Sequence, residues 1–136
     1  MGRTSFVLCL AALAVGCQVI PEAPRALQPL PSNGPAMTYR DVVYRARSQA
    51  TLATESFYID QWPDVDRAAA GLEDTARYLP RAVEVPATQR TSLEVRSQTL
   101  VKEAQALRQA VKGRDEKKTT EAMQRINLLV RELRPE

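Results

Sequence analysis

Residues 62–80 read WPDVDRAAAGLEDTARYLP, and their spacing predicts a helix. Val65, Ala69, Leu72, Ala76 and Leu79 recur at alternating steps of four and three, so they share one helical face. Pro63 falls in the first turn, where its missing N–H costs nothing. Pro80 closes the run, because proline cannot continue a helix. Gly71 costs up to about 1 kcal/mol relative to alanine in a helix interior, and close approach of a second helix offsets that cost.

The same beat appears three more times. Upstream, Thr38-Tyr39-Arg40-Asp41 approximates a capping box with Asp in place of Glu. Val43, Ala46, Ala50, Ala53 and Phe57 then form a seam, rich in alanine and so open to a close neighbour. Downstream, a third helix is expected over 88–112, with Leu93, Ser97, Leu100, Ala104, Leu107 and Val111 in line and Gly113 ending it. Ser97, the polar member, is expected to bond back to its own helix. After a turn at Arg114-Asp115, Ala122, Ile126, Leu129 and Leu133 make the last seam, with Met123 and Val130 beside it. Phe57, Tyr58 and Trp62 gather at the first helix–helix turn as an aromatic plug.

Four amphipathic helices with brief connections and almost no β-type alternation predict an all-α protein. The expected architecture is an antiparallel up-down-up-down four-helix bundle over residues 38–135. At this size hydrophobic burial suffices to hold it, without a metal or a disulfide.

Ahead of the bundle the composition changes twice. Arg3 precedes an apolar run from Phe6 to Val15, which is too short for a span that needs about 20 residues. Small residues and a cysteine follow, Leu13-Ala14-Val15-Gly16-Cys17. This is the layout of a secretory signal over residues 1–16, and its end resembles the lipobox of bacterial lipoproteins. The resemblance implies cleavage before Cys17, acylation of the Cys17 thiol, and a place in the bacterial cell envelope, lipid-anchored and facing the periplasm or the exterior. Ala14 departs from the Leu or Val more usual there. An ordinary signal cut at another small residue and an uncleaved anchor are the competing readings. Residues 17–37 then form the lipidated N-terminus and a linker. Pro21, Pro24, Pro29, Pro31 and Pro35 stiffen it, and few large side chains are present to fold it. A spacer that holds the bundle off a membrane is the expectation.

The inventory of reactive groups is short. The chain has 0 His and 2 Cys; Cys9 lies in the signal segment and Cys17 is the acylation candidate. A mature chain beginning at Cys17 therefore lacks a disulfide partner, the commonest general base and the commonest metal ligand. The formal charge of +3 drops by one when Arg3 leaves. The basic residues Lys112, Arg114, Lys117 and Lys118 alternate with Asp115 and Glu116, which is a solvated turn and not a nucleic-acid stripe. Glu55, Asp60, Glu73 and Glu103 are read as lying off the apolar seams, and a carboxylate-bridged di-iron site would also want histidines. No catalytic, metal or cofactor residues are assigned, and the chain is not expected to be an enzyme.

Trp62-Pro63-Asp64-Val65, followed by alanine-rich spacing through Leu79 and Pro80, resembles the second helix of bacterial cytochrome c-prime-like bundles. That family ends its last helix in a CxxCH haem-attachment motif, often with an arginine following. At the matching places stand Ile126, Leu129 and Val130, with Arg134 keeping the arginine. The resemblance implies the bundle outline, while all three haem-bearing positions are aliphatic. Two functions follow as expectations. One is a non-catalytic envelope lipoprotein that contacts another envelope protein or supports an assembly. The alternative is a small-ligand or redox carrier of the kind the family implies.

Overall fold

The computed structural model describes residues 27–134; the signal segment and Cys17 lie outside them. Among the described residues there are five α-helices and no strand: α1 (Tyr39–Tyr58), α2 (Trp62–Tyr78), α3 (Ala87–Arg90), α4 (Leu93–Lys112) and α5 (Glu116–Glu132). No helix among them is long and apolar enough to cross a membrane. The protein is all-α.

Each long helix starts and stops for local reasons. The Thr38 side chain accepts from the Asp41 N–H, while the Asp41 carboxylate accepts from the Thr38 hydroxyl at 2.7 Å. That second bond replaces the one a full capping box would make to the Thr38 N–H. Asp115 caps α5 by accepting from the Lys118 N–H at 3.0 Å. Pro63 occupies the first turn of α2, and a 3-10 turn over Leu79–Arg81 follows that helix. Gly113 ends α4 in the right-handed region with φ −81°, and Arg114 takes the left-handed conformation at φ 48°.

The third predicted helix is broken. Residues 87–90 make a single turn, and α4 restarts at Leu93. The Ser92 hydroxyl and N–H both donate to the Gln89 carbonyl at 3.2 Å. Such local bonding by serine competes with helix continuation.

The seams bury as their spacing implies. Val43, Ala46, Val65, Ala69, Leu72, Ala76, Leu79, Leu100, Ala104, Leu107, Ile126 and Leu133 are all buried, and they join one core cluster. Helix α1 packs on α2, α2 on α4, α4 on α5, and α5 returns to α1. Alanines at 46, 50, 68, 69 and 104 let these helices approach closely. At Gly71 a Cβ would stand 2.7 Å from the Gln49 side chain of α1, and Gln49 is itself buried. A side chain at 71 would have to displace the Gln49 amide.

Two expectations about individual side chains change. The aromatic plug holds Trp62 against Phe57, edge to face at 5.5 Å, and Tyr58 meets Phe57 at 6.1 Å but at 81% exposure lies on the rim and is not buried in it. Residues 27–37, placed by composition in an extended spacer, lie against the helices instead. Leu30 and Met37 pack on the core, and the Tyr78 hydroxyl donates to the Pro31 carbonyl. Tyr39 donates its N–H to the Val83 carbonyl at 2.8 Å, and Val83 returns a bond to the Met37 carbonyl at 2.9 Å. Composition undercounts this segment because Leu30 and Met37 find a surface prepared by other helices.

Candidate functional site

Cys17, the one site residue assigned from the sequence, lies outside the described residues. Within them the densest polar arrangement joins α2 to α4. Glu73 is 8% exposed, although its spacing put it off the seam. Its carboxylate accepts from Gln105 Nε2 at 3.0 Å and meets the Arg108 guanidinium at 3.5 Å. Arg77, one turn along α2, pairs with it as well. Arg108 also donates through Nε to Asp66 at 3.1 Å. That bond to Asp66 is the main reason the Arg108 guanidinium is held above its ordinary value, with the charges of Asp66 and Glu73 adding to it against the cost of burial.

This arrangement is a clasp between α2 and α4. Both carboxylates are bound to guanidinium groups, and neither imidazole nor thiol stands beside them. Among the described residues no group of three or more His, Cys, Asp or Glu is placed to hold a metal ion. The other carboxylates singled out are distributed separately. Glu103 pairs with Arg125 of α5 at 2.8 Å, Asp60 accepts from the Trp62 indole N–H, and Glu55 is exposed.

Ser97 is buried at 5% exposure, and its hydroxyl donates to the Ala76 carbonyl of α2 at 2.7 Å. The bond crosses between helices; it does not return to α4 as the sequence reading had it. The reason sits in α2. The Ala76 carbonyl would ordinarily receive the N–H of residue 80, which is proline and has none. The Leu79 N–H reaches it in a 3-10 pattern, and Ser97 supplies a second donor. Ser97→Ala is expected to cost about 1 kcal/mol, read as a lowered urea midpoint with an unchanged slope. A silent substitution would remove the bond from any role in joining α2 to α4.

The positions matching the haem-attachment motif are filled by core side chains. Ile126 is 1% and Val130 4% exposed, and Leu129 packs against the same cluster. Covalent haem needs two thiols and an axial ligand there, so the residues present do not fit the group.

The cap of α5 is the pH-sensitive contact. The Lys118 backbone N–H, and then its side chain, hold the Asp115 carboxyl below its ordinary 3.8. A lowered folded value stabilises above the unfolded one and is lost as pH falls through the folded one. Fraying of the first turn of α5, read from its backbone chemical shifts, is therefore expected only below about pH 4. In Asp115→Asn, a neutral cap acceptor, this acid step should vanish. Persistence of the step in that variant would place its cause elsewhere.

The described residues thus define an all-α protein whose buried polar groups tie helices together. No protein-family model, no curated protein and no solved structure matches this chain.

Proposed function

We propose that this chain is a bacterial envelope lipoprotein, acylated at Cys17, that works by contact with another envelope protein. Its helices α1, α2, α4 and α5 are read as an antiparallel up-down-up-down four-helix bundle. Short connections and the closed cycle of packing from α1 through α2, α4 and α5 back to α1 support that arrangement. The observation that carries the anchor is Leu13-Ala14-Val15-Gly16-Cys17 after a ten-residue apolar run. Contact is favoured over chemistry because imidazole is absent from the chain and the buried carboxylate Glu73 is already engaged. On the same grounds the likeness to cytochrome c-prime-like bundles is kept as an outline of the fold, without its haem.

Intact-mass analysis of the protein purified from its native membrane tests the anchor. Expected is a chain beginning at Cys17 and bearing a diacylglycerol. Cross-linking before extraction tests the role, with a defined protein partner recovered in stoichiometric yield. A mature chain that starts elsewhere overturns the anchor. A stoichiometric Soret band overturns the contact reading in favour of a redox carrier.

A further inference from the structure

The docked segment 27–37 decides from which side of the molecule the anchor leaves. Arg45 of α1 donates to the Gln28 carbonyl, Tyr78 holds the Pro31 carbonyl, and Leu30 packs on the core. Gly34 sits so near the Tyr78 hydroxyl that a Cβ would come within 2.4 Å of it, so the path there admits no side chain. Leu27 ends up in an open groove of about 430 Å³ along the outer face of α1, beside Tyr44, Arg47 and Leu52. Only residues 18–26 separate that point from Cys17. At full stretch those nine residues reach at most about 30 Å, about one and a half times the thickness of two helix layers of about 10 Å each. The chain leaves the described residues on the α1 side, at Leu27.

The outer face of α1 has a composition suited to that place. Tyr44 is 70% and Tyr58 81% exposed. They stand 14 residues apart, close to four whole turns, so both rings project from one stripe about 21 Å long. Arg40, Arg47 and Thr51, all exposed, fall between or beside them at steps of three and four. Ile59, 66% exposed, extends the stripe past the helix end. Arg40, Asp41, Tyr44 and Arg47 line a second open groove of about 260 Å³. Of the two carboxylates nearby, Asp41 is engaged by the Thr38 hydroxyl and Glu55 stands alone. Single exposed apolar residues need no explanation. Two tyrosines, an isoleucine and two arginines aligned on the side from which the tether leaves do.

We propose that this stripe of α1 is the face the protein lays on the lipid headgroups of the membrane that holds its anchor. Tyrosine rings are at home in the headgroup layer, with the apolar ring inward and the hydroxyl in water. The Arg40 guanidinium pairs with lipid phosphates, as do the Arg47 N–H groups left over from its bond to the Leu133 carbonyl at 3.0 Å. A tether this short keeps the face at high effective concentration, so a weak contact suffices. The inference rests on the acylation of Cys17. It also leaves the outer faces of α4 and α5 free for a protein partner.

Depth-dependent quenching tests it. The acylated full-length mature protein has no free thiol, so Tyr44→Cys, Tyr58→Cys, Val95→Cys and Leu128→Cys can each carry one fluorophore. Val95 on α4 and Leu128 on α5 are 65% and 59% exposed and serve as exposed positions outside the stripe. In vesicles of phosphatidylethanolamine and phosphatidylglycerol with a headgroup-level quencher, positions 44 and 58 should be quenched at least threefold more than 95 and 128. Arg40→Glu with Arg47→Glu should cut that preference by half or more while the thermal melt stays in place. Equal quenching at all four positions, or none at any, with acylation verified by intact mass, overturns the inference alone. A mass without acyl chains overturns it together with the anchor on which it rests.

Discussion

Leu107→Ala is expected to lower the unfolding free energy by about 2–5 kcal/mol. Leu107 lies on α4 with 0% exposure and belongs to the single core cluster that all four long helices share. Removing its branched end costs the transfer of the lost methyl groups and the space they leave, because interiors at crystal-like density relax only in part. A domain of this size has about 5–15 kcal/mol in total, so a large share of its stability goes with one side chain. Leu128→Ala on α5 is the control: Leu128 is 59% exposed, and its loss should fall within about 0.5 kcal/mol. Urea unfolding of the two variants side by side checks this. Equal midpoints would mean that α4 is not packed as described.

Glu73→Gln should cost about 1–3 kcal/mol, less than the 3–5 found when a fully buried pair loses one member. Its carboxylate is 10% exposed at the side chain, while Arg108 and Arg77 keep 34% and 57% of theirs. Water therefore screens the guanidinium side of the clasp and compensates part of the loss. Arg108 also retains Asp66, and Arg77 retains Asp74 at 3.7 Å. The informative measurement is a double-mutant cycle with Arg108→Met. Coupling of at least about 0.5 kcal/mol between the two changes is expected from groups in one network. Additive losses would show that Glu73 acts through Gln105 and Arg77 alone. Because the clasp joins α2 to α4, its loss should also speed amide exchange in both helices.

These results bear on the two kinds of polar contact the protein uses. The Ser97 bond answers a vacancy made by Pro80, and the Glu73 clasp pins a contact that alanine and glycine have made tight. Both spend polar side chains on holding α2 against α4. The outer face of α1 spends its polar and aromatic side chains differently, on an open surface beside the tether.

Helix periodicity along the chain was enough to locate all four long helices, most of their ends and most core positions, though Tyr39, Val42, Leu52, Ala68 and Tyr78 are buried outside the expected seams. That is a local property, since a 4-3 repeat of apolar residues leaves a helix one face to bury. The Cys17 assignment is also purely sequential, and it lies beyond the residues described. Only the tertiary structure decided where polar groups went. Glu73 looked like a surface carboxylate because spacing within α2 carries no record of Arg108 and Gln105 arriving from α4. Ser97 turned to α2 because Pro80 leaves the Ala76 carbonyl without the N–H that a continuing helix would supply. The end of the proline-rich strip docked because Leu30, Met37 and the Pro31 carbonyl met partners more than a helix away in sequence. A residue's spacing states which face it occupies; what waits on that face is set by chain brought there from elsewhere.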